Sequence, residues 1–276
     1  MQTKTIFITG ASSGIGKAIA MYFSERGWNV AATMRHPGKE TELTKQPNIK
    51  LYRLDVTDEA SIEAAISGAI KDFGGIDVIV NNAGYGAVGV FEKSTGEQLR
   101  KQFDVNVFGV FNVIRKILPH FRSKHDGTII NITSVGALIT FPLYSAYHAT
   151  KWALDGFGES LHYELKPLGI RVKSVEPGAI KTDFYSRSQD LFVDTSIEDY
   201  DSYEKVCMEN MQKEGEKAPG PEKVAKVVWK AANSKSFKVR YPVGMDAKAL
   251  LFIRRIIPNR WFFAIVRKVV ERGFSR

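Results

Sequence analysis

Seven short runs of β-branched and aliphatic residues, at 5–9, 29–33, 50–56, 77–80, 128–133, 171–175 and 238–243, punctuate the chain. Helix-length segments lie between them, at 14–26, 58–73, 97–121, 145–165 and 221–234. Strands joined by crossovers of about a dozen residues or more pair in parallel, and a parallel sheet needs helices on both faces. The expected architecture is therefore a single α/β domain, a doubly wound parallel sheet over residues 1–245. Two regions break the alternation. Residues 179–220 are too long for a plain connection and read as a lid over a binding site. Residues 246–276 read as a basic, amphipathic helical extension.

At 44% hydrophobic and 25% charged, the 276 residues exclude disordered, collagen-like and coiled-coil chains. The single cysteine, Cys207, leaves no internal disulfide and no CxxC metal site, which fits a reducing cytosol. The opening residues MQTKTIFITG hold no apolar stretch long enough for a secretory signal. The apolar run at 249–253 is far short of the ~20 residues a membrane span needs. A cytoplasmic protein is expected, soluble or held at a membrane surface. The net charge of +9 invites a nucleic-acid reading, but Lys248, Arg254, Arg255, Arg260, Arg267, Lys268, Arg272 and Arg276 face only Glu271 within 248–276. The basicity belongs to the tail, and no nucleic-acid partner is expected.

Gly10, Ser12, Ser13, Gly14, Ile15 and Gly16 lie on the turn from the first strand into the first helix. Glycines there let the backbone approach a pyrophosphate, and the helix N-terminus meets the negative charge with free N–H groups. The spacing Gly-x-x-x-Gly-x-Gly is neither GxGxxG nor a P-loop. Asp55 and Val56 close the third strand, and Asn82, Ala83 and Gly84 close the fourth. All three motifs fall on the carboxyl edge of the sheet, where open α/β sheets bind ligands. An NAD-selective site offers a carboxylate at the end of the second strand. Here the strand ends in Met34 and Arg35 with no acid, so a 2′-phosphate and NADP(H) are expected, with NAD(H) at lower affinity. The alternative for Arg35 is an ordinary exposed loop cation.

Tyr147 and Lys151 stand four apart on one predicted helix, hence on one face. An ammonium beside a tyrosine favours the phenolate and suits it to acid/base work on an alcohol or ketone oxygen. Ser134 ends a strand thirteen residues earlier, placed to hydrogen-bond the same oxygen. No cluster of His, Cys and carboxylates has metal-ligand spacing, so no metal is expected.

TGASSGIG at 9–16, DV at 55–56, NNAG at 81–84, DVNVFG around Asn106, IINITS ending at Ser134, YHATK at 147–151 and EPGAIKT at 176–182 together resemble the short-chain dehydrogenase/reductase family. The resemblance covers about residues 3–244, and its plan is similar to the hydroxysteroid- and retinol-dehydrogenase-like branch. It implies a Rossmann-type fold and hydride transfer between a nicotinamide and a carbonyl or carbinol carbon. By the same resemblance Tyr147 is the general acid/base, and Ser134 orients the carbonyl. Lys151 holds the nicotinamide ribose, and the backbone of Asn106 holds a water in the proton relay. Pro177, Gly178, Ile180 and Thr182 match the segment contacting the nicotinamide. His148, adjacent to Tyr147, is turned away by the helix and receives no role. A homodimer or homotetramer built from the 97–121 and 145–165 helices is implied.

Leu138, Phe141 and Tyr144 lie between the serine and the tyrosine, and Phe184, Tyr185, Phe192, Met208 and Met211 fall in the insertion. Apolar and aromatic side chains near a reacting centre favour a lipophilic ketone, aldehyde or alcohol. Leu138, Tyr144 and Phe184 are the expected substrate contacts beside Ser134 and Tyr147. In the tail, Phe262, Ile265, Val266, Val269 and Val270 recur at helical spacing. Such a helix can pack on its own body, on a partner subunit or on a membrane surface. Two other readings of the chain stay open: an NADP(H)-sensing protein without turnover, and a peripheral membrane-binding module on the same fold.

Overall fold

All seven runs form strands of the main sheet, those at its centre buried on both sides and those at its two edges partly open. The computed structural model describes residues 3–182 and 189–274. In chain order the strands are β1 (Thr5–Ile8), β2 (Asn29–Met34), β3 (Ile49–Arg53), β4 (Val78–Asn81), β5 (Gly86–Val88), β6 (Gly127–Ile132), β7 (Ile170–Pro177), β8 (Gln189–Leu191) and β9 (Arg240–Val243). The main sheet runs β3-β2-β1-β4-β6-β7-β9, parallel throughout, and β5 and β8 form a separate parallel pair. β1, β4 and β6 are buried along their whole length, as expected of strands covered on both faces.

Successive side chains of a strand point to opposite faces, and the core divides accordingly. Ile6 and Ile8 meet α1 (Gly14–Ser24) and α7 (Glu222–Asn233) through Ile19, Phe23, Val224 and Val228. Phe7 faces the layer of α2 (Glu59–Phe73), α4 (Gly109–Lys124) and α5 (Ser145–Leu165), with Ile62, Ile117, Phe121 and Leu161. The strand order turns back between β1 and β4, which opens a crevice at their carboxyl ends.

The segment expected to be one helix over 97–121 is broken. α3 (Gly96–Phe103) leads into a π turn at Asp104–Phe108, and α4 resumes the α geometry. The wider turn coincides with buried Asn106. Its Oδ1 accepts from Tyr85 N at 3.0 Å, and its Nδ2 donates to Tyr85 O at 2.9 Å and Thr150 Oγ1 at 3.3 Å. Insertions of this kind recur at functional positions in helices.

Beyond β7 the chain adds α6 (Asp201–Glu216), and beyond β9 it adds α8 (Gly244–Ile256) and α9 (Asn259–Val270), separated at Pro258. α6 is tied down by Lys93, whose Nζ lies 2.7 Å from Asp201 and 3.1 Å from Glu204. α9 packs through Phe262, Val266 and Val270. Ile265 and Val269, expected on the same stripe, are exposed.

The sheet edge at β9 is closed by ion pairs. Arg240 contacts Asp155 at 2.5 Å and Glu159 at 2.9 Å on α5, and Glu176 on β7 at 2.6 Å. Burial pushes the Asp155 and Glu176 carboxyls up, against the pull of Arg240. The Glu176 side chain is only 1% exposed, so removing the guanidinium would strand a charge inside the fold. Arg240→Ala is expected to cost roughly 3–5 kcal/mol, a fall in Tm of about 5–15 °C. Without Arg240 the folded state takes up protons that the unfolded state does not. The deficit should therefore shrink between pH 8 and pH 5, as thermal melts across that range would show.

Candidate active site

The turn after β1 is held open by a neighbour. The Asn82 amide, at the end of β4, donates to Thr9 O at 3.0 Å and Gly10 O at 2.9 Å. Thr9 Oγ1 accepts from Asn82 N and Ala83 N, both at 3.0 Å. Gly10 has φ +68°, and a Cβ there would lie 2.9 Å from Ala83 Cα. At Gly16 a Cβ would strike Gly10 O and the Asn82 amide. Gly16 thus serves the packing of α1 against this turn and does not itself line the cleft beside it. Ser13 precedes α1 in an extended conformation with no side-chain cap, and the helix has no acid in its first turn. Its N-terminal N–H groups are left for an anion.

At the end of β2, Met34 is buried and Arg35 exposed. Asp55 is engaged locally, accepting from Thr57 N at 3.0 Å and Thr57 Oγ1 at 2.8 Å. Despite burial, these bonds and the charges of Arg35 and Arg53 hold its carboxyl below the usual range.

On the far side of the switch point, Ser134 follows β6 by two residues with extended backbone. Its Oγ accepts from Gly136 N at 2.9 Å. Tyr147 and Lys151 occupy successive turns of α5, with Lys151 Nζ 5.6 Å from the centroid of the Tyr147 ring. Lys151 is buried, and its Nζ donates to Ile132 O at 3.0 Å. Burial brings its pKa down to about 8. Asn106 lies behind these groups, its side chain occupied by Tyr85 and Thr150.

One cleft of about 930 Å³ joins these features. Its lining takes in Gly10, Ser12, Ser13, Gly14, Ile15, Arg35, Asp55, Val56, Asn82, Ala83 and Gly84. It also takes in Ser134, Tyr144, Tyr147, Lys151, Pro177, Gly178, Ile180 and Thr182, and Thr182 comes back against the glycine turn, 3.5 Å from where a Cβ of Gly14 would stand. Leu138 does not reach the lining, although Val135 three residues earlier does; Val135 and Ile139 pack with Ala247 and Phe262. Phe184 and Tyr185 fall outside the described residues. Of the other apolar residues singled out in the insertion, Met211 lines the cleft, while Phe192 is buried against Ala87 and Ala146. The roof is completed by Asn210 and Glu214 of α6, Leu250 of α8, and Val269 and Val270 of α9. Val269 and Val270 stand out in the sequence as part of the tail's apolar stripe but not as cleft residues, and nothing in the sequence pattern singles out Asn210, Glu214 or Leu250.

His148 has a part that helix geometry alone concealed. Its Nδ1 pairs with Gly136 O and its Nε2 accepts from Phe141 N, both at 2.9 Å. The ring thereby clamps the loop between Ser134 and α5, and only the neutral form can do so. Burial holds its pKa below the usual value of 6.5. The contribution is present above pH 6.5 and is lost as the pH falls, because the unfolded chain then binds the extra proton. His148→Phe should cost about 1–3 kcal/mol by leaving two buried backbone groups unpaired. It should also flatten the acid limb of a plot of Tm against pH relative to the wild type.

Residues 4–190 match the short chain dehydrogenase family. Over nearly its full length the chain is similar to the uncharacterized oxidoreductase YusZ of Bacillus subtilis, with 37% identity over 97% of this chain and 99% of that protein. It is 35% identical to a 3-ketodihydrosphingosine reductase of Bacteroides thetaiotaomicron, over 88% of this chain and 89% of the relative. A solved short-chain dehydrogenase from Streptomyces avermitilis matches with a TM-score of 0.84 and 31% identity, covering 100% of both chains. ElxO with NADP bound matches with a TM-score of 0.74 and 29% identity, over 90% of this chain and 100% of that one. With the parallel sheet and its carboxyl-edge cleft, these matches make the chain a member of the short-chain dehydrogenase/reductase family of oxidoreductases.

Proposed function

We propose that the protein is an NADP(H)-dependent oxidoreductase that interconverts a lipophilic ketone or aldehyde and its alcohol. The observation that carries this is the shared cleft, in which a dinucleotide-sized path leads from the glycine turn and Arg35 to Ser134, Tyr147 and Lys151. The residues fit the cofactor. Positive φ at Gly10 and Gly14 and the acid-free N-terminus of α1 make a cradle for a pyrophosphate. Arg35 supplies a guanidinium where a 2′-phosphate would lie, and Asp55, occupied by Thr57, does not take it up.

When bound, the nicotinamide supplies or accepts the hydride. Tyr147 gives the proton to the carbonyl oxygen in reduction and takes it back in oxidation. Ser134 Oγ hydrogen-bonds that oxygen and steadies the charge developing on it. The Lys151 ammonium favours the phenolate and holds the ribose hydroxyls. With the Asn106 side chain committed, the water of the proton relay falls to its backbone carbonyl in the π turn. Phe141, Tyr144, Met211, Leu250, Val269 and Val270 around the reacting end favour an apolar substrate. The relative named for reduction of a long-chain sphingoid ketone supports the same class.

Consumption of NADPH and NADH against long-chain aliphatic, aromatic and steroid ketones tests the proposal, and NADPH binding without turnover on any of them would count against it. Tyr147→Phe should keep NADPH binding while lowering carbonyl reduction by about 10²–10⁴-fold. Turnover near the wild-type rate would remove Tyr147 from the mechanism. Arg35→Ala should weaken NADPH by about tenfold or more while leaving NADH nearly unchanged; equal losses would return Arg35 to an ordinary loop cation.

A further inference from the structure

A helix on a protein surface buries one stripe and turns polar residues outward. α8 and α9 do otherwise. α8 is seated by Ala247, and its opposite face carries Met245, Phe252 and Ile256, spaced by seven and four residues. They are 75%, 63% and 61% exposed. α9 is seated by Phe262, Val266 and Val270, and the adjoining stripe Trp261, Ile265 and Val269 is open, with Trp261 57% exposed. Nothing else in the described fold covers these apolar faces, and exposed apolar surface of this kind marks a contact.

Charge decides which contact. Lys248 and Arg255 flank the α8 face and Arg260 and Lys268 border the Trp261 stripe; across 244–271 the only acids are Asp246 and Glu271, the latter paired with Arg267, against six Lys and Arg residues. The Arg260 guanidinium lies 5.3 Å from the Trp261 ring centroid, so cation and aromatic share one site. Two copies joined through this face by a two-fold axis would bring like charges together. A layer of anionic headgroups would instead neutralise them while the aromatic and aliphatic side chains enter the acyl boundary. No helix among the described residues is long and apolar enough to cross a membrane, and helices of 13 and 12 residues can lie in the interface plane.

We infer that the outer face of α8 and α9 docks on an anionic membrane surface. Leu250, Val269 and Val270 of these same helices line the cleft. A lipophilic carbonyl compound dissolved in the bilayer would then meet the reacting end without crossing water. That last consequence rests on the function proposed above; the docking does not.

Co-sedimentation of the full chain with phosphatidylcholine vesicles, with and without about a third phosphatidylglycerol, reads the docking directly. The expected result is binding to the anionic vesicles alone, weakened by about tenfold at high salt. The variant carrying Phe252→Ser, Ile256→Ser and Trp261→Ser should lose that binding while its melting temperature and NADPH affinity stay unchanged. No association with anionic vesicles overturns the inference, as does binding that the triple variant retains. A concentration-dependent dimer that the triple variant abolishes, with no vesicle binding, would assign the face to a second copy and overturn it too. Loss of turnover with vesicle binding intact would count against the proposed reaction and leave the docking standing.

Discussion

Parallel pairing of all seven strands of the main sheet puts every carboxyl end on one edge, and the candidate site depends on that constraint. The strands cannot be joined by hairpins, so every crossover but the short one from β2 to β3 adds an α-helix, and each strand end becomes a loop at the same edge. β1 delivers the glycine turn, β2 Arg35, β4 the Asn82 amide, β6 Ser134 and β7 the Pro177–Thr182 segment. The reversal of order between β1 and β4 leaves a gap between loops that lead to opposite faces. Asn82 then spans the gap, bonding two carbonyls of the β1 turn with one amide. The shape of an anion cradle is thus fixed by a side chain from the neighbouring strand as much as by the glycines themselves.

Around that crevice the interior spends polar groups on backbone partners, and this gives the site its rigidity. Lys151 is anchored on Ile132 O, His148 on Gly136 O and Phe141 N, and Asn106 on both backbone groups of Tyr85. Each is buried, so each bond forms where water cannot compete, and leaving one unmade would be costly. The burial that favours these bonds also depresses the pKa of Lys151 and His148. For His148 the neutral form is the one that clamps. For Lys151 the charge is kept at neutral pH because about 8 still lies above it.

Much of this was legible in the residues. Buried parallel strands are continuous apolar runs, so all seven main strands stand out, and the i, i+4 spacing of Tyr147 and Lys151 fixes their shared face on α5. What pattern could not carry was contact between distant segments. The apolar periodicity of 97–121 runs on through the π turn, because the break comes from Asn106 reaching Tyr85 and not from any local signal. His148 was set aside on its angle around the helix, yet its ring lines the cleft beside Tyr147 and holds the loop between Ser134 and α5. Gly16 and Leu138 sit in segments that border the cleft without lining it: Gly16 is taken up by the close approach of α1 to the Gly10 turn, and beside Leu138 it is Val135 that reaches the cleft. The pairing of β5 with β8 joins segments about a hundred residues apart, each of three residues, too short for any alternation to show.

The roof of the cleft follows a different logic from its floor. The floor is set by sheet geometry, whereas α6, α8 and α9 are held outside the sheet: Lys93 binds Asp201 and Glu204, Asn210 donates to Val270 O and Arg272 O, and Cys207 and Phe262 are buried with Val266 and Val270. A roof seated outside the sheet can differ among chains sharing the same floor, because the sheet core does not depend on it. Here it brings apolar side chains both to the cleft and to the outer surface, with cations along the rim. The net charge that first suggested nucleic acid is the charge of the α8 and α9 part of this roof, since α6 carries more acids than bases. Its concentration there, beside exposed aromatic rings and apart from the sheet, is what ties the basic tail to the cleft it covers.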